Sequence, residues 1–135
     1  MTDRLKALKR VLKVQDQLKR SADWRLAEAE RASSEIAEAQ AELWRFMDGT
    51  VLTGAFAAAA AAQSRRLDTR GNEAARVVEA ERTAMQEVTA RQKLVAKALD
   101  SLSREDAAAR ERKDLERLIE GFAGRGATPG GGSEG

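Results

Sequence analysis

Two runs of seam residues at seven-residue spacing mirror each other about one short break, so the chain is expected to double back as a helical hairpin. Heptads counted from Leu5 run Leu5, Leu8, Leu12, Gln15, Lys19, Ala22, Leu26, Ala29, Ser33, Ile36, Gln40, Leu43 and Met47. Beyond a break at Asp48–Gly54 a second series runs Phe56, Ala60, Gln63, Leu67, Arg70, Ala74, Val78, Glu81, Met85, Val88, Gln92, Val95 and Leu99. Reversed and laid against the first, it pairs Leu8 with Val95, Gln15 with Val88, Leu26 with Val78, Ile36 with Leu67 and Met47 with Phe56. Ala22 falls opposite Glu81, with Lys19 as its ion partner. A sustained heptad predicts a left-handed supercoil, because the seam has to stay on the partner's side. The expected fold is therefore all-α: a long antiparallel two-helix coiled-coil hairpin with a C-terminal helical overhang.

Composition agrees with thin helices and argues against a thick core. Of 135 residues, 42% are hydrophobic, but close to half of these are alanine and only 4% of the chain is aromatic. Alanine favours helix strongly and buries little area. Charged residues reach 34% with a single Pro, the profile of long helices. A net charge of +2 gives no global field for nucleic acid or an anionic membrane. With neither Cys nor His the chain lacks thiol nucleophiles, disulfides and the commonest general base, and no metal-ligand spacing occurs. No secretory apolar region follows the charged N-terminus, and the apolar run 55–62 is far too short to span a bilayer. A cytoplasmic protein without cofactor, metal or catalytic residues is the expectation.

Helix is expected over about 3–48 and 55–121, with a turn at 49–54. Thr2 or Asp3 caps the first helix, Gly49 is placed as a left-handed C-cap, and Thr53 as the next N-cap. Gly71 reads as a weak point in a continuous second helix, where the backbones approach closely opposite Ser33, rather than as a hinge. Residues 1–122 thus form the hairpin, and 123–135 a flexible glycine-rich tail. Because the first helix begins opposite Leu99, residues 100–121 project beyond it without a partner.

Three surfaces are candidates for binding. Trp44, Phe46, Met47, Val51, Leu52 and Phe56 gather at the turn, where they form either a local plug or a docking knob. The overhang carries an apolar stripe with Leu115, Ile119 and Phe122 at helical spacing, suited to a groove on a larger assembly. Arg4, Lys6, Lys9 and Arg10, with Arg91, Lys93 and Lys97 alongside, make a basic collar where the overhang begins. Without interleaved aromatics that collar points to an acidic protein surface rather than to nucleic acid. Trp24, beside the seam, is expected to be partly buried.

These features together resemble the small coiled-coil stalk proteins of bacterial type III export systems, the FliJ-like family of the flagellar branch. The resemblance spans residues 2–122 and rests on size, the start Leu5-Lys6-Ala7-Leu8-Lys9-Arg10, the hairpin, and the absence of Cys and His. It implies a shaft whose termini enter the ring of an export ATPase and whose other end meets the membrane export gate, with some members escorting export chaperones. On that view the collar and overhang meet the ring, and Trp44, Leu52 and Phe56 meet the gate. The alanine run 55–62 and the glycine-rich tail depart from the family pattern. The rival reading is a self-associating spacer, in which two overhangs pair to make a four-helix homodimer.

Overall fold

The computed structural model describes the backbone of residues 3–51 and 53–132, and side chains through residue 124. Two helices, α1 (Asp3–Gly49) and α2 (Gly54–Gly132), account for nearly all of it, and no strand occurs among the described residues. They pack against each other as the expected helical hairpin. Leu52 lies outside the described residues, as do residues 133–135 of the expected tail.

The turn differs from expectation in where its left-handed residue sits. Gly49 stays helical as the last residue of α1, and Gly54 instead takes φ +54 as α2 begins. Glycine enters that region without the Cβ clash that penalises L residues. The amide of Phe56 then bonds the carbonyl of Thr53 at 3.2 Å. At the other end, α2 passes through Gly121 and Gly124 to Gly132, beyond the expected stop near 121. Neither glycine adopts the positive φ that caps a helix, and glycine in the right-handed region weakens a helix without terminating it.

By contacts the chain divides into two units: Val14–Gln92, and residues 1–13 with 93–135. In the Val14–Gln92 unit the buried residues are Ala22, Ala29, Ala60, Leu67 and Val78. α1 presents the seam read from the sequence, and each of its positions from Gln15 to Met47 is buried or half-buried. α2 does so without a fault only from Ala74 onward, although Ala60 and Leu67 also hold their expected places. Upstream of that point Gln63 and Arg70 are exposed, and Ser64 and Gly71 occupy the seam in their place.

The helices also meet about one turn out of the expected register. Gly71, placed opposite Ser33 by the sequence, instead packs on Ile36 and Gln40: a Cβ built on it would lie 3.3 Å from Gln40 Nε2 and 3.7 Å from Ile36 Cγ2. Gln40 Nε2 donates to Asp68 Oδ1 at 3.1 Å, and Gln92 Nε2 donates to Asp16. Arg25, not Lys19, is the cation recorded on Glu81, at 3.5 Å; Arg82 reaches Glu30 at 3.8 Å. Every one of these partners is displaced in the same direction. The reason is geometric: sliding one helix by half a heptad carries each seam position onto the next, so hydrophobic periodicity alone leaves such registers nearly equivalent. Polar cross-links and the small residues Gly71 and Ser64 discriminate between them.

In the unit formed by residues 1–13 and 93–135, Leu5 is buried, and Arg4 and Leu8 line a depression with Ala98, Ser101, Leu102 and Glu105. Leu102, Asp106 and Ala109 remain half-buried, and every residue from 110 to 124 is exposed. The exposed overhang therefore begins at residue 110 rather than at 100.

Candidate partner-binding surfaces

The overhang carries one group of exposed apolar side chains among the described residues, and the turn carries another. Leu115, Leu118, Ile119 and Phe122 are exposed to 64%, 62%, 60% and 63%. Their placement follows from helical periodicity, since residues three and four apart share a face. Extending the seam from Leu102, Asp106 and Ala109 by heptads reaches Lys113, Glu116 and Glu120, all charged. The apolar positions Leu115, Ile119 and Phe122 lie one residue earlier, about 100° round the helix. This stripe is thus not a continuation of the surface that α1 covers. Ala108, Arg112, Leu115 and Ile119 line one shallow depression along it, edged by Glu105 and Glu116; Leu118, Gly121 and Phe122 line a second.

Where the overhang leaves α1, Arg110 bonds the carboxylate of Asp106, its Nε at 3.2 Å from Oδ2. That hydrogen bond holds the Asp106 carboxyl below its ordinary value of 3.8 and raises the Arg110 guanidinium. Arg104 with Asp100 (3.0 Å) and Arg117 with Asp114 (3.9 Å) add exposed pairs along the same helix. Pairs at this spacing favour helix only weakly.

The collar residues Arg4, Lys6, Lys9, Arg10, Lys93 and Lys97 are all exposed within one unit, and Arg91 is exposed in the other. They do not form an unopposed block of charge. Arg4 shares its depression with Glu105, and the Asp100–Arg104 pair stands on the same stretch of α2.

At the turn, Trp44, Phe46, Val51 and Phe56 are exposed to 58%, 55%, 91% and 77%, while Met47 is half-buried. A closed apolar plug is therefore not what the described residues form. Phe56, expected to cover Met47, is left out because the α2 seam continues upstream from Ala60 to half-buried Ala57, one residue round the helix from Phe56. Trp24 is also more open than expected, at 66%. Sequence reasoning missed the polar notch of Ser33, Gln40, Asp68, Gly71 and Asn72. The signal was present: the seam as first read needs two successive four-residue steps at Arg70–Ala74–Val78, and starting from Gly71 restores strict alternation.

Among the described residues no group of His, Cys, Asp or Glu is placed to hold a metal ion, and no helix is long and apolar enough to cross a membrane. No family model matches the chain, and neither the curated proteins nor the solved structures contain a match to it.

Proposed function

We propose that this chain is a non-enzymatic coiled-coil stalk or adaptor of a type III (flagellar) protein export apparatus, linking the cytoplasmic export ATPase ring to the membrane export gate. One observation carries the reading: Leu115, Leu118, Ile119 and Phe122 stand exposed on a helix face turned away from the hairpin seam. Exposed apolar groups of this kind mark interaction sites, and a single helix of that length is marginal in water without a partner. The resemblance in size and in the Leu5–Arg10 start supports the choice of assembly. The overhang and the cations Arg4, Lys6, Lys9, Arg10, Arg91, Lys93 and Lys97 form the ring-facing surface in this proposal, and Trp44, Leu52 and Phe56 the gate-facing one. Escort of export chaperones uses the same exposed apolar side chains.

The test is binding of the full chain to a hexameric export ATPase, with turnover as the readout. The expected result is capture of the ATPase and faster turnover, both lost in Leu115→Glu/Ile119→Glu and retained in Trp24→Ala. Absence of binding, or binding that ignores the double substitution, overturns the proposal. A stable dimer that protects residues 110–122 in solution establishes the spacer instead.

A further inference from the structure

The turn end of the Val14–Gln92 unit is stripped of charge. Between Arg45 and Arg65 the only charged side chain is Asp48, in a chain that is 34% charged. Within that interval Phe46, Val51 and Phe56 stand exposed, and Trp44 does so just before it. The alanine run that opens α2 is apolar on every face yet packs on one side only. Ala60 is buried and Ala57, Ala61 and Ala62 are half-buried, whereas Ala55, Ala58 and Ala59 are exposed. A helix that is apolar all round is normally covered all round.

The exposed groups do not share one face, and that decides what can cover them. Trp44 and Phe46, two residues apart, stand about 160° from each other around α1, with half-buried Leu43 and Met47 turned toward α2 between them. Trp44 follows its seam neighbour by one residue, as do Glu30 and Arg82, which pair across the same flank. Phe46 and Phe56 each precede a seam position, Met47 and Ala57, and so belong to the other flank. A groove on a protein takes one stripe at three- and four-residue spacing, which Leu115, Ile119 and Phe122 offer and the turn end does not. A second copy packed on one flank leaves the other bare. An apolar medium covers every side at once and requires no counter-charge.

We propose that the turn end is a lipid-surface anchor, which dips into the boundary between headgroups and acyl chains of a bilayer. No helix among the described residues is long and apolar enough to cross a membrane, so the insertion is shallow. At that depth water still reaches Asp48 and the backbone groups of the turn, which the hydrocarbon interior would leave unsatisfied. Trp44 lies on the headgroup side, where indole rings collect, and the exposed Arg45 and Arg65 reach back to water. Glu42 and Asp68, each three residues from one of these arginines on the same helix, offset their charge. Attraction to the bilayer therefore comes from apolar surface and not from lipid charge. The inference stands without the export reading, since binding to pure lipid needs neither ATPase nor gate.

The test mixes the full chain with phosphatidylcholine vesicles and reads Trp44 fluorescence in a Trp24→Phe background, which leaves one tryptophan. The protein should float with the vesicles, and Trp44 emission should move to the blue and be quenched by phosphatidylcholine brominated on its acyl chains. Raising salt from about 0.05 M to 1 M should change neither result. Phe46→Glu/Phe56→Glu should weaken vesicle binding at least about tenfold, and Leu94→Glu, an equally exposed apolar site elsewhere, should leave it unchanged. All three positions are exposed, and circular dichroism checks that each variant keeps its helix. Absence of flotation, or binding that survives the Phe46/Phe56 substitutions or falls equally in Leu94→Glu, overturns the proposal. Binding confined to vesicles containing anionic phosphatidylglycerol and abolished by salt assigns the contact to the basic residues and overturns it too. A blue shift that grows with protein concentration in the absence of vesicles assigns the turn end to a second copy instead.

Discussion

Two glycines in this hairpin do opposite things, and substitution by alanine separates them. Gly54 opens α2 at φ +54, where a Cβ is strained although the space around it is empty. Gly71 has right-handed helical geometry, and its added Cβ would press on the terminal amide of Gln40, the far end of a flexible side chain that bonds Asp68. Gly54→Ala should therefore destabilise by about 1 kcal/mol, and Gly71→Ala should stabilise by about 0.5 kcal/mol through helix propensity. Urea titrations followed by circular dichroism measure both. Asp106 supplies the pH dependence at this scale. The Arg110 hydrogen bond lowers its folded pKa, so its contribution is complete above the ordinary value of 3.8 and drains away as pH falls through the lowered one. In an NMR titration Asp106 should ionise below 3.8, and Arg110→Ala should return it toward that value. An Asp106 midpoint unmoved by Arg110→Ala would contradict the assignment.

Between helices, legibility depended on how large the seam residues are. α1 was fully legible because leucines and isoleucine recur through its repeat, and any shift of phase would expose them. In α2 upstream of Ala74 only Leu67 and small residues mark the seam, so Arg70 and Gly71 competed for one position and the wrong one was chosen. Residue size explains that miss, since alanine, serine and glycine cost little wherever they lie. The overhang is the element most dependent on something outside the hairpin. Every residue from 110 to 124 is exposed, so amides there should exchange hydrogen with opening free energies of about 0–1 kcal/mol, far below those near Leu67 and Val78. Exchange read by mass spectrometry gives the comparison, and protection of 110–124 equal to that near Leu67 would mean the face is already covered.

Across the whole molecule, acid–base pairs are numerous and individually weak. Both partners of each recorded pair stay partly accessible, and the best sheltered cross-helix one, Arg25–Glu81, is exposed to 49% and 26%. Such pairs select orientation and partner more than they stabilise. Raising salt from about 0.05 M to 1 M should shift unfolding stability by less than about 1 kcal/mol, because screening acts on small terms and leaves the apolar seam untouched. A loss of several kcal/mol on adding salt would show that charge, not the seam, holds the helices together. The same salt series on ATPase binding separates the basic collar, whose contribution is screened, from the overhang stripe, whose contribution is not.

From the sequence alone came the helical class, the antiparallel hairpin, the site of reversal and the existence of an apolar overhang. All four are set by periodicity, glycine placement and chain length, which act locally or through a simple repeat. Tertiary structure decided the register, and with it the partner of each polar seam residue; it also decided where the overhang begins and that Phe56 lies off the seam. A heptad brings a seam position round about once per helical turn, so it specifies which face meets the other helix but not how far along. That choice belongs to side chains distant in the sequence: Gly71 against Ile36, Gln40 on Asp68 and Gln92 on Asp16.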